Sequence, residues 1–169
     1  MPNDMSRIRV ASHFELTSFL EGRTFAWGIF EDRFGRVRRR FTVEMVGRWQ
    51  DRVFYLDERF TYDDGRRETR VWRVEPSDQG RFTATCADCV GIAQGESSAD
   101  TIRMAYTFRL KLDGRKIDVS FDDRIYRVGE HVAVNRAIMR KWGVRLGEVS
   151  LFFRREEVGE APGNDRVAV

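Results

Sequence analysis

The chain has 169 residues, of which 41% are hydrophobic and 34% charged, and a formal net charge of +3. This length and composition indicate one globular domain with enough residues to build a core without disulfides, and they exclude a disordered chain. No stretch approaches the roughly 20 apolar residues of a transmembrane helix, and the N-terminus lacks an apolar signal core, so we expect a cytoplasmic protein with no transmembrane segment.

One short helix is predicted near the N-terminus. Ser12–Glu15 reads as a capping box, the apolar residues of Leu16–Leu20 follow at helical spacing, and Gly22 ends the pattern. The sequence therefore predicts a helix over 12–21, preceded by a disordered segment over 1–11.

The remainder of the chain has the period of β-strands. From Arg23 onward apolar and polar residues alternate, and Gly, Asp or Pro clusters such as Asp63–Gly65 interrupt them about every ten residues. The phase slips at Gly147, which predicts a β-bulge. Eight to ten sequential strands with short turns favour an all-β fold, an antiparallel up-and-down β-barrel spanning 12–157, with a disordered tail over 158–169.

Alternation also assigns an inner face to each strand, and charged residues fall on it. Glu58, Asp123 and Arg136 each lie in phase between two apolar residues, and Arg70 lies beside Trp72. An unpaired buried charge costs several kcal/mol, so these groups must find partners, water or a ligand. In one interpretation Arg136 and Arg70 form a clamp that holds a carboxylate or phosphate group of a ligand. In the other, the charged residues form a structural network that fixes the register of the strands, or the inner face of a strand is assigned wrongly.

The two cysteines form a C-x-x-C motif, Cys86 and Cys89. A redox motif of this kind begins a helix, whereas this one closes a strand. The chain has only two histidines, so a zinc site lacks ligands and we expect neither metal nor cofactor. The simplest interpretation is two small residues near the end of a strand.

A basic run over Arg36–Arg40 is the one concentration of positive charge. Glu31, Asp32 and Glu44 lie on the same predicted hairpin and should neutralise much of it. A solvated, salt-bridged sheet face is therefore favoured, and we expect no nucleic-acid partner.

A set of segments with a specific order carries a family resemblance: 25–35, 38–41, 62–65, 70–72, 121–123, 135–136 and 146–153. Together they resemble domain-of-unknown-function family 3833, with the similarity spanning Phe19–Arg155. The resemblance implies a peripheral association with lipid-modifying enzymes, because members are associated with fatty-acid modification; members can also carry lipoprotein signals, which we do not expect here. Trp27-Gly28 is also similar to the opening of calycin (lipocalin-like) barrels, in which a tryptophan packs near an arginine of the last strand, here Arg154 or Arg155.

A barrel of this size is either filled by side chains or able to hold one small ligand. The first hypothesis is a non-enzymatic binding module for an amphipathic, lipid-like molecule such as a fatty acyl chain. The alternatives are a barrel enzyme that uses Glu58 or Asp123 on a lipid-like substrate, and a filled barrel that serves as a protein-interaction module. The residues predicted to contact the ligand are Arg136, Arg70, Glu58, Asp123, Trp27, Trp72, Phe60, Met104 and Phe121.

Overall fold

The structure, a computed structural model, describes residues 13–112 and 114–156. It contains one α-helix and ten β-strands within these ranges, which confirms the predicted all-β class. The predictions of disorder over 1–11 and 158–169 lie outside the described residues. In chain order the elements are α1 (Leu16–Leu20), β1 (Gly22–Asp32), β2 (Val37–Gln50), β3 (Val53–Tyr62), β4 (Arg67–Pro76), β5 (Arg81–Thr85), β6 (Ala93–Ser97), β7 (Thr101–Leu112), β8 (Arg115–Arg127), β9 (Val132–Lys141) and β10 (Val144–Arg155).

The strands form one closed barrel in which every strand pairs antiparallel with its neighbours in sequence and β10 pairs with β1. This is the predicted up-and-down barrel. Closure leaves no edge strand, so the backbone hydrogen-bonding groups of the terminal strands satisfy each other. Because consecutive strands alternate in direction, the turns after β1, β3, β5, β7 and β9 all lie at one end, which we call the hairpin end.

The predicted turns and bulge are present. The β1–β2 turn contains Gly35 at φ 77° and the β3–β4 turn contains Gly65 at φ 81°, conformations that residues with a Cβ rarely adopt. The register of β10 against β9 shifts between Arg145 and Gly147. A Cβ at Gly147 would lie 2.6 Å from the Phe30 ring, so glycine is required where β10 crosses β1.

Helix α1 is shorter than predicted and lies across the end opposite the hairpin end. The residue before it, Glu15, makes no side-chain cap hydrogen bond, and the predicted cap Ser12 lies outside the described residues. Phe14 N–H donates to Ser98 O at 3.0 Å, which ties the segment to the β6–β7 turn. The helix is held by packing, since its apolar residues are buried against the barrel core. No helix in the described ranges is long and apolar enough to cross a bilayer.

The predicted inner faces are right for most strands and wrong for two. Strands β3, β4, β7 and β8 turn the predicted residues towards the interior. On β1 the buried residues are instead Thr24 and Ala26, and on β9 they are Ala133, Asn135 and Ala137. The buried positions of these two strands hold small or polar residues, although Phe30 and Met139 also line the interior, and most of their large apolar residues lie outside, which is the reverse of the predicted faces.

Candidate functional site

The interior of the barrel contains a cavity of about 380 Å³, walled mainly by apolar side chains. At one end it is bounded by Leu16 and Leu20 of α1, and it extends to Phe30, Arg39 and Leu110 near the hairpin end. The helix therefore covers one end of the cavity, and the other end of the cavity lies towards the hairpin end. Because the interior is not filled by its own side chains, the structure disfavours the filled-barrel alternative.

An ion pair lies at mid-depth on the cavity wall. Glu58 of β3 and Arg70 of β4 are directly opposite in the antiparallel register, and Arg70 Nη1 lies 3.5 Å from Glu58 Oε2. Trp72 Nε1–H donates to the same oxygen at 3.2 Å. The Arg70 guanidinium also stacks over the rings of Phe60 and Phe108, at 4.9 Å and 4.4 Å from their centroids. These contacts hold Arg70 rigidly, as cation–π and charge-assisted interactions do in a low-dielectric interior.

A second polar pair faces the same cavity from the other side of the barrel. Tyr106 of β7 donates its hydroxyl proton to Asp123 Oδ2 of β8 at 3.0 Å. The Tyr106 ring also packs edge-on against the Trp72 indole, with centroids 5.4 Å apart, so the two pairs meet across the interior. Asp123 Oδ1 and Arg70 Nε are buried without a hydrogen-bond partner among the described residues. One acceptor and one donor are thus left for another group.

Burial controls the protonation of these groups. It raises the pKa of Asp123 to about 7, and the negative charges of Glu58 and Asp122 act in the same direction, against the Tyr106 hydrogen bond. Burial also raises the pKa of Glu58, with Arg70 and Trp72 offsetting part of the effect. For Arg70, burial alone would lower the pKa, but the Glu58 carboxylate, together with smaller contributions from Tyr106, Cys86 and Tyr62, outweighs it and the pKa is raised. The arrangement is an Arg–Glu pair beside a carboxyl group that exchanges its proton near neutral pH.

Seven of the nine residues predicted to contact a ligand line this cavity, and two do not. The seven, drawn from four strands, are Arg70, Glu58, Asp123, Trp72, Phe60, Met104 and Phe121.

The interior placement predicted for Trp27 and Arg136 is wrong, because both lie on the two strands whose faces are inverted. Trp27 is 42% exposed on the outer wall, and its ring packs against that of Phe152 with centroids 6.2 Å apart. The next residue, Gly28, faces the interior instead. No larger residue fits there, because a Cβ at Gly28 would lie 2.7 Å from both Leu151 Cδ2 and Phe41 Cζ. The inner space above β1 is therefore occupied by side chains of its neighbours.

Arg136 belongs to an ion-pair network on the outer wall. Its Nε lies 2.6 Å from Glu148 Oε1, and Arg145 Nη2 lies 2.7 Å from Glu148 Oε2. The hydrogen bonds from Arg136 lower the pKa of Glu148, even though burial acts against them. For Arg136 the structural interpretation is therefore the correct one: it joins β9 to β10, and it cannot reach a ligand inside the barrel.

The predicted ligand contacts do not include Tyr106 and Asn135, two polar residues that line the cavity. Tyr106 has the right phase, but it reads as a core aromatic unless the β7–β8 register is known, which places it diagonally to Asp123. Asn135 is buried and lines the cavity from β9, a strand whose predicted inner face is the wrong one, so the sequence pattern places Asn135 outside. The Asp113-Gly114 hairpin signal fixes that β7–β8 register and could have revealed the first of these.

The C-x-x-C motif lies in the β5–β6 connection at the hairpin end. Cys86 and Cys89 are free thiols, and Cys89 N–H donates to Cys86 O at 3.1 Å. A side-chain hydrogen bond from Cys89 is the main cause that lowers the pKa of Cys86 to about 7, with Arg70 contributing at longer range. The described ranges contain no group of three or more His, Cys, Asp or Glu residues that could hold a metal ion.

Comparisons with known proteins identify a family and a fold. The sequence model of a family described as "protein of unknown function (DUF3833)" matches residues 5–155, which confirms the resemblance seen in the sequence. No curated protein matches the chain. The S-type phycobiliprotein lyase CPES from Guillardia theta is similar in structure, with a TM-score of 0.60 and 6% sequence identity over 84% of this chain and 91% of the lyase. At that identity the likeness shows only the fold, a calycin-like barrel.

A second solved structure, EF1p2_mFAP2b bound to DFHBI, has a TM-score of 0.45 and 9% sequence identity, and covers 82% of this chain and 95% of its own. That similarity is too low to support an argument.

Proposed function

The chain belongs to the DUF3833 family of proteins of unknown function, and we propose that its barrel binds one small, largely apolar molecule that carries a polar end. The observation that supports this proposal is the cavity of about 380 Å³, whose walls are mainly apolar and whose polar groups include the Glu58–Arg70 and Tyr106–Asp123 pairs. A volume in the range of small-molecule sites, apolar walls and a few convergent polar groups are the usual features of a ligand pocket.

The position of the polar pairs suggests how the ligand lies. They are at mid-depth, with Phe60 and Leu110 above them towards the hairpin end and Leu16 and Leu20 below. A ligand that enters from the hairpin end would bring its polar end to Arg70 Nε and Asp123 Oδ1, where one donor and one acceptor are unused. A fatty acyl chain is one apolar portion that would suit these walls.

The charges favour an uncharged polar end. Glu58 already balances Arg70, so an anionic group would add uncompensated charge to a low-dielectric site. Protonated Asp123 can donate to a carbonyl or hydroxyl oxygen, and Arg70 Nε–H can donate as well. We therefore propose that a hydroxyl, ester or amide binds better than a carboxylate on the same chain, which a competition series of one chain length would measure.

The cavity itself can be tested with the neutral fluorophore N-phenyl-1-naphthylamine. Ala137 is buried and lines the cavity, so Ala137→Leu should fill part of it and weaken fluorophore binding at least about tenfold, because the lost contact area is that of several methylene groups. Ala105→Leu makes the same change on the outer face of β7, where the residue is exposed, and should leave binding unchanged. Equal affinities for the two variants would contradict the proposal.

The polar end has its own matched pair of variants. The double variant Arg70→Met, Glu58→Gln removes the ion pair without leaving a lone charge, and should weaken competition by a long-chain alcohol about tenfold while keeping fluorophore affinity. Arg136→Ala, on the outer wall, should change neither. Native mass spectrometry of protein purified from cells, followed by lipid extraction, would identify a ligand that co-purifies.

A second candidate function is catalysis on such a ligand, and Asp123 is the observation that favours it. A carboxyl group with a pKa of about 7, an unpartnered oxygen and a place on the cavity wall is suited to general acid or base chemistry. Turnover of a bound ester that Asp123→Asn abolishes, with affinity retained, would select this candidate. If the wild-type protein instead releases the ester without hydrolysing it, the result would support binding rather than catalysis.

A further inference from the structure

Three neighbouring turns form one half of the hairpin end, and we call them the basic rim: residues 32–36, 111–116 and 140–145, of which residue 113 lies outside the described ranges. They are adjacent because β7, β8, β9, β10 and β1 follow one another around the barrel. Arg33 N–H donates to Leu146 O at 3.0 Å, which fixes the first turn against the last. The end of the cavity that α1 leaves uncovered, where a ligand would find its way in, lies on this same side.

Two aromatic side chains project from the rim into solvent. Phe34 is 72% exposed and Trp142 is 91% exposed. Each carries a cation against its ring: Arg33 lies 4.8 Å from the centroid of Phe34, and Lys141 lies 4.6 Å from that of Trp142. Trp142 also holds φ at 50°, a conformation that is unfavourable for a bulky residue and that asparagine or glycine would adopt more easily. The fold therefore gains nothing from tryptophan at this position.

The rim is strongly positive. Its three segments contain eight Lys and Arg residues against two Asp residues, a net charge of +6, whereas the whole chain has +3. One of the two carboxylates, Asp32, is already paired with Arg38 at 2.6 Å. Arg33, Arg36 and Lys116 form no ion pair with any residue that the structure describes. The positive charge of these three side chains is therefore available to a partner, whereas Arg145 is already paired with Glu148.

We propose that the basic rim docks on an anionic lipid bilayer. Exposed aromatic residues that insert at the headgroup level, surrounded by Lys and Arg that attract anionic lipids, are the two features by which proteins bind a bilayer surface. At the opposite end Trp49 is an exposed aromatic residue among those described, but its ring packs edge-on against Phe54, and the adjacent Arg48 is paired with Asp57. Docking of the rim would turn the way into the cavity towards the headgroups. The inference stands on the rim alone and does not require that the cavity be occupied.

Vesicle flotation tests the docking directly. Wild-type protein should float with phosphatidylcholine vesicles that contain phosphatidylglycerol, and should float poorly with phosphatidylcholine alone or at high salt. Arg33→Ala with Arg36→Ala should weaken partitioning roughly thirtyfold, since each cation near an anionic surface contributes about fivefold. Arg52→Ala, an exposed arginine in the β2–β3 turn at the opposite end, is the matched control and should bind like wild type.

The aromatic tips are tested in the same assay. Phe34→Ala with Trp142→Ala should reduce partitioning at least about tenfold, while Val128→Ala, an exposed apolar residue at the opposite end, should not. Bromolipids should quench tryptophan fluorescence in wild type but not in Trp142→Phe, a variant that keeps an aromatic tip. The proposal is overturned if wild type ignores the anionic vesicles or shows no quenching, or if the rim variants bind as well as their controls. It is also overturned if RNA or an acidic protein, but no vesicle, is retained by the rim.

Discussion

The titration of Asp123 inside the cavity should make the stability of the barrel depend on pH. Burial raises the pKa of this carboxyl from 3.8 to about 7. Between those two values the folded protein holds a proton that the unfolded chain has released. The free energy of unfolding therefore falls as the pH rises through this window, by about 1.4 kcal/mol per pH unit and up to about 4 kcal/mol in all, and is level above the folded pKa.

Asp123→Asn removes the titrating group and keeps an oxygen that can accept the Tyr106 proton. At low pH the variant and the wild type should unfold with similar free energies, because both side chains are then neutral. Near pH 8 the variant should be the more stable by up to about 4 kcal/mol, since the wild type then buries a carboxylate. Urea unfolding at a series of pH values, with the two curves subtracted, isolates the contribution of this one group.

The control for this experiment is Asp122→Asn, the same chemical change one residue away on the outer face, where Asp122 lies in solvent beside Arg124 at 3.7 Å. Asp122→Asn leaves Asp123 in place, so its free energy of unfolding should keep the slope of the wild type. A difference between Asp123→Asn and wild type that stays constant from about pH 5 to about pH 8 would refute the reasoning. Addition of the neutral fluorophore, which displaces water from the cavity, should extend the slope to higher pH.

Two further outcomes follow from close contacts at the two ends of the barrel. Gly47→Ala should lower the free energy of unfolding by about 1–3 kcal/mol, because the new Cβ would collide with the carbonyl oxygen of Leu20 and push α1 away. The control is Gly129→Ala, whose Cβ would lie 3.8 Å from its nearest neighbour and which should leave the free energy of unfolding almost unchanged. Thermal and urea denaturation measure both variants. Alkylation of Cys86 by iodoacetamide, followed by mass spectrometry, should rise with a midpoint near pH 7, and Cys89→Ala should move that midpoint upward by removing the hydrogen bond that lowers the pKa.

The fold could be predicted because its local signals agree with one another. On β3, β4, β7 and β8 large apolar residues alternate with polar ones, and glycine stands where the turns need positive φ. The same alternation placed Glu58, Arg70 and Asp123 inside, and the structure confirms that placement. What alternation could not supply was the pairing. Glu58 meets Arg70 only because the β3–β4 register sets them opposite each other.

The failure on β1 and β9 has one physical cause. Alternation reveals the inner face only when the inner residues are the larger and more apolar ones. Beside β1 the inner space is occupied by Phe41 and Leu151, which leave room for nothing larger than Gly28. On β9 the inner positions hold Ala133 and other small residues. Such strands are assigned correctly only from the side chains of their neighbours, which a single sequence does not provide.

The charged residues inside the barrel combine features of a structural network with features of a ligand site. The Glu58–Arg70 pair has the contacts of a structural element: it is directly cross-strand, and Trp72 donates to it. A purely structural network, however, would satisfy all of its polar atoms, because each one left unpaired in the interior costs about 1–3 kcal/mol. Arg70 Nε and Asp123 Oδ1 are unpaired and border a cavity. One donor, Arg70 Nε, and one acceptor, Asp123 Oδ1, therefore remain available to another group at the cavity wall.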